Sequence, residues 1–219
     1  MSVKRGRAAQ GQRTREAILR TAVDLASAEG LEGLTIGRLA AELEMSKSGL
    51  FAHFGSKEEL QLATIGAARE IYVEEVINPA LENDAGLPRL WALLESWLRY
   101  AEAGIFKGGC FFVAASAEFD GRPGPVRDLV ASTMRAWLGV LERSVVESQK
   151  AGHLDSGSDA AQVAFELNAI ALGAKWSFQL YGDREVFDRA SRAMVARLHG
   201  IATRAARGML PDLGQTKGR

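Results

Sequence analysis

Apolar residues recur at helical spacing along most of the chain. Ile18, Ala22, Leu25 and Ala26 fall at i, i+4, i+7 and i+8, one face of a helix predicted from about Arg13 to Glu29 and closed by Gly30. Ile36, Leu39, Ala40 and Leu43 predict a second, short helix with Thr35 as its N-cap. A turn follows at Glu44–Met45. Ser46 then caps a third helix, Lys47 to about His53, in which Leu50 and Phe54 share a face. Ser56 opens a fourth, with Glu58 and Glu59 in the first turn, where the helix dipole favours acid. That helix runs to about Asn78, where Pro79 interrupts it.

Beyond the Asp84–Pro88 break, the pattern predicts helices over about Arg89–Ala103, Cys110–Phe119, Val126–Ala151, Ala160–Tyr181 and Arg184–Gly208. The breaks between them carry glycine or proline, as in DGRPGP at Asp120–Pro125. Alternating strand-like runs are absent apart from a short stretch at Cys110–Val113. The fold class is therefore all-α, with about nine helices. Residues 1–12 are expected to be a flexible basic arm and 13–62 a small domain of short helices with a motif at 35–54. Residues 63–208 are expected to form a larger helical bundle, and 209–219 a flexible tail.

Composition narrows the function. Of 219 residues, 47% are hydrophobic, enough for a sizeable core. The 27 basic and 27 acidic residues cancel, but they are sorted along the chain. The first twenty residues hold Lys4, Arg5, Arg7, Arg13, Arg15 and Arg20 against Glu16 alone, whereas Glu70, Glu74, Glu75, Glu82 and Asp84 have no base among them. A lone cysteine, Cys110, excludes an internal disulfide and a Cys-cluster metal site. The three histidines are too far apart in sequence for a local ligand pair, no apolar run approaches the ~20 residues of a membrane helix, and the basic N-terminus, with no apolar segment behind it, is not expected to be a secretion signal. A cytoplasmic protein without cofactor or membrane partner is expected. Nucleophile elbows, phosphate loops and metal pairs are missing, so no enzyme is expected.

Thr35 to Phe54 is the most informative stretch. Two short helices joined by a tight turn form a helix-turn-helix. Their apolar faces are used in packing, which leaves Ser46, Lys47, Ser48, Gly49, Ala52 and His53 on a small free face. A helix entering a major groove needs that shape. Lys47 supplies charge, and the hydroxyls of Ser46 and Ser48 can bond phosphate or base. Lys57 opens the fourth helix, whose free amides already favour an anion.

The motifs are I-L-x-x-A-x-x-L (Ile18, Leu19, Ala22, Leu25), Gly30, T-I-x-x-L-A (Thr35–Ala40), S-K-x-x-L-F-x-H-F (Ser46–Phe54) and S-K-E-E-L (Ser56–Leu60). Over about Arg13–Leu62 the chain resembles the TetR family of bacterial transcriptional regulators. The resemblance implies a homodimeric repressor of double-stranded operator DNA whose C-terminal domain dimerises and binds a small-molecule effector. It also implies that Thr35, Ser46, Lys47, Ser48, Phe51, His53 and Lys57 contact DNA, with Arg38 as an addition. Glu44 stands where the family usually has Gly, Gly49 where it commonly has Thr or Ser, and Phe51 where Tyr is common. His53 has the alternative of bonding within the protein, and Phe51 and Phe54 that of being core.

All four tryptophans fall after residue 90. Aromatic residues at helical spacing are usually core, yet this load could also line a site for an apolar or aromatic effector. The candidates are Trp91, Trp97, Phe106, Cys110, Phe111, Val113, Ala114, Trp137 and Trp176. Cys110 reads most simply as a small buried hydrophobe. The segment Ala160–Ala174 has only Gln162, Glu166 and Asn168 as polar residues, so it is buried on more than one side. It and the last helix are expected to pack against a second copy through Val163, Leu167, Ile170, Ala174 and Phe178, and through Ala190, Met194 and Ile201. The expected function is a sequence-specific DNA-binding transcriptional regulator. The alternative is a small-molecule-binding helical protein with a degenerate helix-turn-helix.

Overall fold

The computed structural model describes residues 2–212, with side chains from residue 11 onward. Ten α-helical segments account for nearly all the regular structure, and there is no strand among the described residues. Contacts divide the chain into two compact units. The first takes the residues up to Ile71 together with Gly104–Thr133; the second takes Tyr72–Ala103 and the residues from Met134 on.

In the first unit, α1 (Ser2–Glu29) ends where Gly30 turns to φ 87°. Helix α2 (Ile36–Glu42) starts at Thr35, whose hydroxyl accepts the Arg38 N–H at 3.0 Å. The turn into α3 (Lys47–Phe54) contains Glu44 at φ 53°, the one positive φ among described non-glycine residues. Met45 N–H closes that turn onto the Ala40 carbonyl at 2.9 Å. Ser46 caps α3 by accepting the Gly49 N–H at 3.1 Å, and Ser56 accepts the Glu59 N–H at the start of α4 (Lys57–Tyr72). Ile18, Ala22, Leu31, Leu34, Leu39, Leu50, Phe54, Leu60 and Ile65 are buried as the core of these helices. Arg15 lies over the Phe54 ring, 5.1 Å from its centroid.

A later segment belongs to the same unit. Gly108 N–H donates to the Ser27 hydroxyl at 3.1 Å, and a Cβ at Gly108 would overlap the Ser27 carbonyl oxygen. Only glycine lets the two backbones approach so closely. Helix α7 (Phe111–Phe119) follows, with Phe111, Phe112, Ala115 and Phe119 buried. Its Glu118 carboxylate accepts the backbone N–H groups of Leu31 at 2.7 Å and Glu32 at 2.9 Å.

In the second unit, the path of α4 passes through a π-turn (Val73–Ile77) into the short α5 (Asn78–Leu81). Pro79 sits in the first turn of α5, where its missing N–H costs nothing, so the helical path reaches Leu81 rather than ending near Asn78. With α4, the π-turn and α5 taken as one path, the described residues hold nine helices. Helix α6 (Leu87–Ala103) buries Leu90, Leu93, Leu94, Trp97 and Tyr100. The unit is completed by α8 (Pro125–Lys150), which begins in the first unit, and by α9 (Ala160–Tyr181) and α10 (Glu185–His199), which pack on each other and on α6.

The ends of the chain differ from expectation. The segment expected as a flexible arm over 1–12 is helical from Ser2, the helix continuing through Gly6 and Gly11. The side chains of Lys4, Arg5 and Arg7 lie outside the described residues. The last helix ends at His199 instead of Gly208, because residues 201–203 pair elsewhere. Asp155 N–H donates to the Ile201 carbonyl at 2.8 Å, and Thr203 N–H to the His153 carbonyl at 3.0 Å. The tail expected from 209 begins packed: Leu210 is buried, and a His199 ring nitrogen lies 3.0 Å from the Pro211 carbonyl. Residues 213–219 lie outside the description.

Two substitutions probe this framework. A non-glycine residue at positive φ costs about 1–2 kcal/mol, partly offset by the unfolded-state freedom of glycine, so Glu44→Gly should raise stability by about 0.5–1 kcal/mol in a urea melt. Gly108→Ala should lower it by about 2 kcal/mol or more, because two backbones must separate.

Candidate nucleic-acid interface

Residues predicted to meet DNA do gather on one surface of the first unit. Thr35, Ser46, Lys47, Ser48 and Phe51 are exposed. A Cβ at Gly37 would lie 3.5 Å from Lys47 Cε, 3.7 Å from its Nζ and 3.9 Å from Thr35 Oγ1, so the lysine crosses α2 close to the Thr35 hydroxyl. Ser46 and Ser48 hydroxyls are 3.3 Å apart. Ser48, Phe51 and Ala52 follow at i, i+3 and i+4, so they share the outward face of α3. Gly49 is half-buried under the Ser46 cap, which leaves the first turn narrow.

Phe51 is 55% exposed and Phe54 only 3%. The core alternative therefore holds for Phe54 and fails for Phe51. Leu50 and Phe54, four residues apart, supply the buried face, and Phe51 points the other way. His53 is half-buried, with its ring tilted against Phe54 at 6.2 Å.

Two expected contacts are engaged in ion pairs. Arg38 bonds Glu29 through two nitrogens, at 2.6 and 3.0 Å, and Glu42 at 2.9 Å. Lys57 Nζ bonds Glu32 at 2.7 Å. The i, i+4 spacing of Arg38 and Glu42 could have been read in advance; the pairs with Glu29 and Glu32 join different elements and could not. The Arg38 hydrogen bond holds the Glu29 carboxyl below its ordinary value, and the Lys57 hydrogen bond does the same for Glu32.

The effector candidates are divided between the two units. Phe106, Cys110 and Phe111 are buried and Val113 half-buried in the first unit, while Ala114 there is exposed. Trp97 and Trp137 are buried and Trp91 half-buried in the second. Trp176 is 58% exposed on α9, so it lines no interior. Trp176 and Ala114 both fall on outward stripes of helices whose opposite faces fill the cores. What the second unit does assemble is a polar aromatic cluster. Tyr72 meets Tyr100 and Trp137 edge-on at 5.4 and 5.6 Å, and Trp137 Nε1–H donates to Asn168 Oδ1 at 3.0 Å. Tyr72, Tyr100 and Asn168 were missed because they lie on separate helices and match no local motif.

Five of the eight expected interchain contacts need correction. Val163, Leu167, Ala174, Ala190 and Met194 are buried within the chain, where α9 meets α10 and α6. Phe178, half-buried, packs on Phe187 at 5.0 Å; Ile170 and Ile201 are half-buried too. Apolar side chains already covered by their own chain cannot meet another. The outward stripe of α9 is instead Phe165, Ala169, Gly173, Trp176 and Leu180, with Tyr181 beside it. Exposed Ala193, Ala196 and Gly200 continue a small-residue surface along and just past α10.

Among the described residues no helix is long and apolar enough to cross a membrane, and no three His, Cys, Asp or Glu side chains are grouped to hold a metal ion.

An all-α chain with two short, capped helices joined by a tight turn, the second with an exposed outer face, is a helix-turn-helix protein. Residues 18–64 match the family model described as bacterial regulatory proteins, tetR family, and residues 86–194 match that for the tetracyclin repressor-like C-terminal domain. The chain belongs to the TetR family, and this membership supports a DNA-binding regulator. It is 37% identical over 73 residues to the HTH-type transcriptional regulator TcmR of Streptomyces glaucescens, a match that spans 33% of this chain and 32% of the length of that relative. A TetR transcriptional regulator from Chloroflexus aurantiacus superposes with a TM-score of 0.82 at 24% identity, over 88% of this chain and 98% of that one. AibR, crystallised with isovaleryl coenzyme A and operator DNA, superposes with a TM-score of 0.65 at 21% identity, over 85% and 97%.

The caps and the ion pairs give separate expectations. Thr35→Ala and Ser46→Ala should each cost about 1 kcal/mol of unfolding free energy by denaturant titration. Because the folded carboxylates of Glu29 and Glu32 titrate below their ordinary 4.5, their contribution is present above that value and is lost as pH falls through the lowered ones. The small difference in Tm between the wild type and Glu29→Gln should therefore be present near neutral pH and shrink as pH falls below 4.5.

Proposed function

We propose that the protein is a homodimeric transcriptional repressor that reads operator DNA with the N-terminal turn of α3 and releases it when a small apolar or aromatic effector binds the second unit. The observation that carries the reading is the shared outward surface of Thr35, Ser46, Lys47, Ser48 and Phe51. The two cap hydroxyls accept backbone N–H groups, and of the Thr35, Ser46 and Ser48 O–H groups only one is used between the two serines, which leaves two for phosphate oxygens. Lys47 brings the charge that neutralises phosphate, and the exposed Phe51 ring can lie against a thymine methyl. Lys57 at the start of α4 adds a phosphate contact where free helix amides favour an anion.

Dimerisation supplies the second recognition helix that a half-site pair about 34–36 Å apart requires. The outward stripe of α9 supports it, since Phe165, Trp176, Leu180 and Tyr181 are large and apolar, and the small residues between them admit another helix closely. For the effector, the Tyr72–Tyr100–Trp137–Asn168 cluster offers aromatic faces with polar groups among them. AibR, of like fold, was solved with both a small ligand and operator DNA, which supports the same division of labour here. An effector need only favour the released state by about 1–3 kcal/mol to shift operator occupancy.

Fluorescence anisotropy on the DNA upstream of the protein's own gene tests the reading. Wild type should bind with steep salt dependence. Lys47→Ala should weaken binding about tenfold and reduce the slope of log K against log salt by about one. Trp176→Asp should convert the dimer to a monomer by light scattering and cost about a hundredfold in operator affinity, as one half-site contact is lost. A monomeric wild type, or unchanged binding by Lys47→Ala, would defeat the proposal.

A further inference from the structure

Glu32 stands on the exposed corner between α1 and α2, and its carboxylate is shared. One oxygen takes Lys57 Nζ at 2.7 Å. The other lies 3.4 Å from Gln61 Nε2 and 3.7 Å from Arg122 Nη1. Gln61 is buried and fixed from beneath, its Nε2 donating to the Leu31 carbonyl at 2.8 Å. The corner's backbone is held by Glu118, four residues before Arg122, through the Leu31 and Glu32 N–H groups. Arg122 in turn stacks over the Phe119 ring at 5.7 Å. The end of α7 thus grips the corner twice, by its backbone through Glu118 and by its side chain through Arg122.

We infer that Glu32 is a latch on the phosphate contact of Lys57, and that Arg122 is the group that competes for the carboxylate and frees the lysine. This rests on the operator-binding reading given above. While Glu32 neutralises Lys57, a phosphate that meets the lysine gains hydrogen bonds but displaces little counterion, and the carboxylate itself repels the phosphate. Arg122 is about 1 Å outside the 2.7–2.9 Å of a charge-assisted hydrogen bond. A shift of that size at the end of α7 would complete the Arg122–Glu32 pair, loosen the Lys57–Glu32 pair and expose a full positive charge at the start of α4. The Glu32 carboxyl is held below its ordinary value chiefly by Lys57, so the latch is charged at neutral pH.

The test is a set of full-length variants titrated by anisotropy against two fluorescent 30-base-pair duplexes, one of mixed sequence and one carrying the DNA upstream of the gene. Glu32→Gln should tighten both about three- to tenfold near 0.1 M salt and steepen the salt slope by about one. Arg122→Ala should weaken binding a few fold in the wild-type background and have no effect in Glu32→Gln, because it acts only through the carboxylate. Glu32→Gln should also do nothing in a Lys57→Gln background. Thermal melts would verify that each variant is folded. Wild-type affinity in Glu32→Gln, with Lys47→Ala still weakened, would overturn the latch alone. Arg122→Ala that still weakens binding in Glu32→Gln would overturn Arg122's role and mark it as a direct DNA contact. A wild type that binds neither duplex would overturn the operator-binding reading and the latch with it.

Discussion

The first unit depends on a carboxylate from far along the chain. Glu118 accepts two consecutive backbone N–H groups at the corner where α1 gives way to α2, 87 and 86 residues upstream. Those donors follow a helix end at Gly30, whose left-handed backbone turns them toward α7; a Cβ on Gly30 would lie 2.9 Å from the same carboxylate. Nearby, Gly108 lies against Ser27 so closely that no side chain fits. These contacts set the direction in which the chain leaves α1, and therefore where α2 and α3 can pack. Hydrogen bonds to a charged acceptor are worth about 1.5–3 kcal/mol when shielded, less where water competes, as it does at Glu32.

The groups that would meet DNA are also the groups that fold the motif. Thr35 and Ser46 each satisfy a free N–H at a helix start with one lone pair. The narrow first turn of α3 follows from Gly49 sitting under the Ser46 oxygen, where a Cβ would come within 3.0 Å of it. The charged members are different, because Lys57 and Arg38 are already satisfied by carboxylates. Such exposed pairs add little to stability. Their effect falls on what the cations can offer a polyanion.

Local physics made much of this visible beforehand. The helix-turn-helix could be read from the period of Ile36, Leu39, Ala40 and Leu43 and from two cap residues, and α9 from the nearly unbroken apolar run between Ala160 and Ala174. The positive φ at Glu44 falls where the family resemblance places a glycine. Period alone could not say which apolar stripe of α9 faces its own chain. Both stripes are apolar, and choosing Val163 and Leu167 over Phe165 and Trp176 for an external surface required the positions of α6 and α10. The grouping of Gly104–Thr133 with the first unit was hidden for the same reason: Gly108 and Glu118 act through partners more than 80 residues away. Chain ends were misjudged where pairing with the His153–Asp155 loop stops α10 early.

The placement of α7 has a practical corollary for anyone who treats the DNA-reading part as a portable module. A fragment cut after residue 62, or a chimera that grafts this head onto another regulator's body, would leave behind the glycine that fits against Ser27 and the acid that caps Leu31 and Glu32. Such a graft would have to carry residues 104–122 with it, or recruit equivalents from its new host. In this chain the transplantable unit is discontinuous.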